Sequence, residues 1–342
     1  MKRFFAAILA VLMLFSMVAC SNGAASLDDK SAGSSADTTK APTEPSDDTL
    51  AGTVIVDVEL DSTDTTDVAT SVETSSESSA ETSKETDAPL TEGTTDATEE
   101  LPKAKTKVAI FTDPHSALID TKVTTRRPSL SPVKIKKMMD KFVKMGVEYV
   151  ICLGDFIENS YDDEENTEML EMLMGIIRTY NIKFYTLMGN HDCDAFTKEE
   201  FYEIAGIDPV PRSERVGDAL FVYLDANFLA DGTSYAPGNI DWKNTFIPQE
   251  QLDFYKSAWQ NTDASEVYVF VHQNIDTNIP NNSYWLSNAA EVQAALAECP
   301  KLKAVYQGHY HKGYSSMING VPYRTVAATC EGEDMPYVII EV

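Results

Sequence analysis

From residue 107 onward the chain alternates dense apolar runs with longer segments in which apolar positions recur every three or four residues. The dense runs are 107–112, 149–153, 183–187, 220–224, 267–271, 304–307, 321–328 and 337–341, and their β-rich composition predicts strands. Between the first two, Ser131-Pro132 predicts an N-cap and a first-turn proline. Ile135, Met138, Met139, Phe142 and Val143 then follow at i, i+3, i+4, i+7 and i+8 before Gly146 ends the helix. Leu170, Leu173, Met174 and Ile177 repeat the spacing, as do Val292, Ala295, Leu296 and Cys299. Such stripes predict helices packed on a sheet, so their methionines are core rather than a metal or partner box. Strands alternating with helices predict an α/β architecture.

The pattern is lost over residues 21–103, which hold 29 Ser or Thr, 20 Asp or Glu, four Lys and no Phe, Tyr or Trp. So little apolar surface cannot offset an ordering cost of roughly 1–2 kcal/mol per residue for the backbone, and a disordered linker is expected. As a flexible coil it would reach roughly 50 Å, and like-charge repulsion would extend it. Its one β-prone run, 53–60, is expected to be a passive apolar patch, a strand being the alternative. Residues 104–342 are enough for one domain with a full core. The net charge of −27 divides into −16 on the linker, +2 on the first twenty residues and −13 on the folded part. That balance excludes a duplex nucleic-acid binder, because no basic stripe is present to displace counterions.

Residues 1–20 carry Lys2 and Arg3, an apolar run over 4–18 interrupted only by Ser16, and then Ala19 and Cys20, the layout of an export signal. The run is shorter than the roughly 20 residues that span a bilayer. Met17-Val18-Ala19-Cys20 resembles the lipobox of bacterial lipoproteins, with Met where Leu is commoner. The resemblance implies an exported, extracytoplasmic protein held at the bacterial membrane by lipid on Cys20. An ordinary cleaved signal peptide is the alternative. The expected organisation is a signal peptide over 1–20, a linker over 21–103 and one domain over 104–342.

All five histidines fall at the C-terminal end of a predicted strand or in the loop just after it, the edge where open α/β sheets bind ligands. The first three strands run into Asp113-Pro114-His115, Gly154-Asp155-Phe156-Ile157-Glu158-Asn159 and Gly189-Asn190-His191-Asp192. Later strands deliver Val271-His272-Gln273-Asn274 and Gly308-His309-Tyr310-His311. One such histidine alone would read as a structural imidazole; five of five in a ligand pattern do not. Imidazole and carboxylate donors suit Mn, Fe or Zn.

These blocks, in this order over about 107–312, resemble the calcineurin-like metallophosphoesterase superfamily. The specific part is Gly-Asn-His-Asp followed some 120 residues later by Gly-His-x-His. Leu224-Asp225 and Gln249-Glu250-Gln251-Leu252 are also similar to family usage. The resemblance implies an α/β sandwich of two mixed β-sheets flanked by helices, with two divalent ions that activate a hydroxide for attack on small-molecule phosphate mono- or diesters. It implies one ion on Asp113, His115 and His311 and another on Asn190, His272 and His309, with Asp155 bridging. Seven donors with two carboxylates leave two divalent ions at about +2, so local charge draws in phosphate despite the domain's −13.

By the same resemblance His191 faces substrate, protonating the leaving oxygen or stabilising the phosphoryl group. Asp192 would orient it or cap the following turn, and Glu158 and Asn159 are either supporting groups or loop polarity. Two departures stand out: Gln273-Asn274 replaces a frequent proline, and Pro114 sits inside the first block. A loop of about 20 residues before Pro248 is long for a connector. Its Tyr235, Asn239 and Trp242 are candidate contacts for a nucleoside or aryl group, with anchoring of the loop on the core as the alternative. Cys152, Cys193, Cys299 and Cys330 could pair in three ways or remain buried thiols. The combined reading is a surface-tethered metallophosphoesterase; the rival is a lipoprotein that binds a phosphorylated ligand without turnover.

Overall fold

Successive strand residues turn to opposite faces, and here both faces of the central strands are apolar, so each sheet must be covered on two sides. A computed structural model describes residues 55–56, 105–122 and 125–342. The expected export signal, Cys20 and the expected linker apart from residues 55–56 lie outside the described residues.

The first sheet comprises β1 (Ile55–Val56), β2 (Lys107–Phe111), β3 (Tyr149–Cys152), β4 (Lys183–Thr186) and β11 (Val338–Glu341), in the order β1-β11-β2-β3-β4. Strands β2, β3 and β4 are parallel, and β11 runs antiparallel to β2. The second comprises β5 (Arg212–Val216), β6 (Ala219–Tyr223), β7 (Glu266–Phe270), β8 (Leu302–Gln307), β9 (Tyr314–Ile318) and β10 (Val321–Thr325), in the order β5-β6-β7-β8-β10-β9. Its four inner strands are parallel, and the two edges are antiparallel.

Alternation distributes the strand side chains among three cores. Val108, Ile110, Tyr149, Ile151, Phe221, Tyr223, Phe270 and Tyr306 meet in one core shared by both sheets. Ala109, Phe111, Val150 and Cys152, on the opposite face of the first sheet, pack against α1 (Ser131–Met145), α2 (Asp163–Ile177) and α4 (Lys198–Ala205). Val222, Val267, Val269 and Val305 do the same beneath α5 (Gln249–Gln260) and α6 (Ala289–Ala297). This is the two-sheet α/β sandwich the motifs implied, with Met138, Met139 and Met174 in the core.

Several local expectations need correction. Ser131 does not cap α1: the helix continues from a 3-10 turn at Pro128–Leu130, and the Ser131 hydroxyl donates to the Pro114 carbonyl. Val143 is 53% exposed, because i+8 falls at the margin of the apolar stripe. The run 53–60 is not wholly passive, since Ile55 and Val56 pair in parallel with Val338 and Ile339. Strands β5 and β9 escaped the sequence reading; both are sheet edges with mostly polar or half-buried residues. Cys152, Cys193, Cys299 and Cys330 are all buried free thiols, which excludes the pairings.

Position in the core predicts stability. Phe221, with no exposed surface and the rings of Tyr149, Tyr268 and Phe270 around it, should cost about 3–5 kcal/mol when changed to Ala in urea unfolding. Val143→Ala should stay within about 0.5 kcal/mol.

Candidate metal centre

The parallel strands of both sheets release their C-terminal ends on one edge. There β2 leads to Asp113 and His115, β3 to Asp155, β4 to Asn190 at the start of α3 (Asn190–Ala195), β7 to His272, and β8 to His309 and His311. Turning side chains back toward one point demands unusual backbone. Among the described residues, six non-glycine residues have positive φ, and four of them are Asp113 (50°), His115 (44°), Asp155 (49°) and His309 (65°). Each such residue costs roughly 1–2 kcal/mol, so the surrounding structure must over-determine it.

Hydrogen bonds between the strand ends do this. Asp113 N–H donates to Gly154 O (3.0 Å), His115 N–H to Asp155 O (2.9 Å), and Gly308 N–H to His272 O (2.9 Å). His309 N–H donates to Asp113 Oδ2 (3.0 Å), tying the two sheets together at the site. The approach also needs glycines. A Cβ on Gly154, at φ 114°, would sit 2.7 Å from Gly189 N and 2.8 Å from His272 Nδ1, and one on Gly189 would strike the Asp155 carboxylate. Gln273 and Asn274, the residues in place of the proline, are bound within this edge: Gln273 donates to Asn227 Oδ1 and Asn274 to Gly308 O (2.9 Å).

The donor atoms converge. Asp155 Oδ2 lies 3.4 Å from His115 Nε2 and 3.3 Å from His272 Nε2. Asp113 Oδ1 lies 3.3 Å from His311 Nε2 and 3.7 Å from His115 Nε2, and those two nitrogens are 3.2 Å apart. Ligand atoms of Asp155, His272 and His309 fall within 4.8 Å of one another. Asp113 Oδ1, Asn190 Oδ1, His272 Nε2 and His309 Nε2 are buried without a hydrogen-bond partner. Orphaned donors on Asp113, His272 and His309 among these converging atoms are what a cation site requires, since such atoms otherwise cost about 1–3 kcal/mol each. The residues therefore fit two metal ions, with Asp155 between the donor sets.

The far sides of the imidazoles are also committed. His115 Nδ1 meets Glu158 Oε2 at 2.7 Å, His311 Nδ1 meets Glu331 Oε1 at 2.7 Å, and His272 Nδ1 meets Leu153 O at 3.1 Å. Each contact fixes the ring and presents Nε2 to the centre. Cys330 Sγ lies 3.8 Å from His311 Nδ1, the nitrogen turned away from the centre, and burial pushes its thiol up. Sequence reasoning missed Glu331, which lies in an irregular segment with no motif. Lys134, buried in α1, holds that segment by donating to Thr329 O (2.6 Å) and Gly332 O (2.8 Å).

Charge follows the same geometry. Burial works to raise the Asp113 and Asp155 carboxyls, but the surrounding imidazoles hold both below the ordinary carboxylate range. Burial, then the charge of His272, pushes His309 down to about 3. Burial opposes charge on His272 as well, yet Asp155 raises it to about 9. Protonated imidazoles thus balance the carboxylates in the free chain, and cation binding there would release protons.

His191 sits beside this cluster, its ring centroid 4.4 Å from that of His115, and its Nδ1 is 3.2 Å from Glu158 Oε1. Glu158 therefore touches two imidazoles at once, and Arg126 Nη1 stands 3.9 Å from Oε2, the oxygen that meets His115. Asp192 does not orient His191. Its carboxylate accepts from the backbone N–H groups of Phe156 (3.0 Å), Ile157 (2.9 Å) and Gly189 (2.9 Å), holding two site loops together. Asn159 donates to Asp194 in α3 and accepts from Asn166 in α2, linking its loop to both helices.

The three loop residues part company. Tyr235 is buried in the core on the outer face of the first sheet, and its hydroxyl donates to the Asp241 carbonyl, so it anchors the loop and cannot meet a ligand. Asn239 is likewise committed to the loop, to Ser234 O (2.9 Å) and Ala236 N (2.8 Å). Trp242 alone reaches the centre, with its ring centroid 5.8 Å from that of His309.

A family model for calcineurin-like phosphoesterases matches residues 106–313, more than half of the chain. A Fibrobacter succinogenes protein named "Probable cyclic nucleotide phosphodiesterase" is 25% identical over 192 residues, covering 54% of this chain and 64% of that protein. The chain thus spans 64% of the length of that curated relative. The crystal structure of a dimetal phosphatase from Danio rerio superposes with a TM-score of 0.59 at 15% identity, over 70% of this chain and 93% of that one, a likeness of fold. Members of the matched family use two divalent metal ions, for which the converging donors here are the candidates. The chain belongs to the calcineurin-like phosphoesterase family.

Proposed function

We propose that the protein hydrolyses small-molecule phosphoesters at a dinuclear metal centre, outside the cytoplasm and tethered to the membrane by lipid on Cys20. The observation that carries the chemistry is the set of buried, unpartnered donor atoms of Asp113, Asn190, His272 and His309, three of them converging with Asp155. Asp113, His115 and His311 would hold one ion, Asn190, His272 and His309 the other, and Asp155 both. When bound, two such ions supply Lewis-acid polarisation of water and of phosphoryl oxygens. The family membership and the phosphodiesterase named above support a phosphoester substrate.

The chain's own groups supply orientation and a proton. Glu158 holds the Nδ1 side of His191, which leaves Nε2 to protonate the departing oxygen. Burial disfavours the charged imidazole, but Asp155 and Glu158 outweigh it and raise its pKa, favouring the acid form. A shared carboxylate oxygen close to both donor sets fixes them at one separation, so the phosphoryl group meets a preformed site.

Asp155→Asn should bring turnover of p-nitrophenyl phosphate and its bis ester to background and lower metal content at both positions. His191→Ala should keep the metals and lose turnover by about 10²–10⁴-fold. Equal metal loss in the two variants would refute this division of roles. Glu331→Gln should weaken metal binding about tenfold or more by freeing the His311 ring, read by competition with a chelator.

The tether is tested separately. Cys20→Ser should move the full chain from the membrane to the soluble fraction with kcat unchanged, because the lipid contributes anchoring and no chemistry. Retention in the membrane fraction would reject the lipid anchor.

A further inference from the structure

Trp242 is not isolated at the metal centre. Its ring centroid is 5.3 Å from that of Tyr284, Tyr284 is 5.2 Å from His309, and Tyr310 is 5.1 Å from Tyr284. The three aromatic residues come from separate parts of the chain. Trp242 lies in the loop after β6, Tyr284 closes the 3-10 turn Asn282–Tyr284, and Tyr310 stands between His309 and His311. Such convergence would be ordinary packing if the rings were buried. They are only half-buried, and none of the three belongs to any of the three cores, although Tyr149, Tyr223, Tyr235, Tyr255, Tyr306 and Tyr323 are fully buried.

Aromatic rings left partly open beside a metal ligand keep apolar faces and edges available for another ring. From this we infer that Trp242, Tyr284 and Tyr310 form a subsite, on the His309 side of the centre, for a planar aromatic group attached to phosphorus. A nucleobase or an aryl ester would present such a group. The inference rests on the phosphoester reading: the metals take the phosphoryl oxygens and the rings select what the phosphorus carries. It also replaces the sequence expectation, since Tyr235 is an anchor and Tyr284 and Tyr310 carried no signal of their own.

Phenylphosphonate and methylphosphonate test the idea without turnover, because their C–P bonds are not hydrolysed and they differ in the ring. Calorimetry on the metal-loaded full chain should show phenylphosphonate binding about fivefold to tenfold more tightly. The ratio of the two Kd values should fall toward one in Trp242→Leu and in Tyr284→Leu, with metal content and thermal unfolding midpoint unchanged. Equal affinity of the wild-type protein for both ligands would overturn the subsite while leaving the metal site standing. An undiminished ratio in both folded variants would overturn it as well. Binding of neither ligand would instead overturn the phosphoester reading on which the subsite depends.

Discussion

One carboxylate oxygen organises the molecule. Asp155 Oδ2 stands 3.4 Å from an imidazole delivered by the first sheet and 3.3 Å from one delivered by the second. Bringing both to the same oxygen requires the two sheets to end at one edge. It also requires Asp113, His115, Asp155 and His309 to accept left-handed backbone, and Gly154 and Gly189 to carry no side chain. The extensive apolar burial between and outside the sheets is what sustains this local strain, because each strained residue alone would relax. Fold and site are thus one mechanical problem: the cores position strands rigidly, and the strands position donors.

Electrostatics repeat the division between local and global. The folded part carries an excess of acids, yet the donor set contains five imidazoles, one amide and two carboxylates if His191 is counted with the seven donors. Without cations, the carboxylates at the centre stay ionised by sharing charge with protonated rings, as the low Asp113 and the raised His272 indicate. Cations would take over that role and turn the crevice attractive to phosphate. The surrounding acceptors, Glu158, Glu331 and the Leu153 carbonyl, fix the rings of four imidazoles, His115, His191, His311 and His272.

The sequence by itself pointed to eight apolar strands, to the helix stripes through Met138 and Leu170, and to the seven candidate donors, because these depend on local periodicity and on short blocks after strands. It also narrowed the chemistry to phosphoester hydrolysis through a family resemblance that the match over 106–313 bears out. Edge strands β5 and β9 were illegible, since an edge faces solvent and needs no apolar signature. Only the tertiary structure decided what each polar residue touches. Asp192 binds three backbone N–H groups instead of His191, Glu158 joins two imidazoles, Glu331 arrives from the far end of the chain under a buried Lys134, and Tyr235 turns into the core while Trp242 meets His309. The reason is physical: periodicity records which side of an element is buried, whereas a hydrogen bond depends on positions brought together from separations such as the 196 residues between His115 and His311.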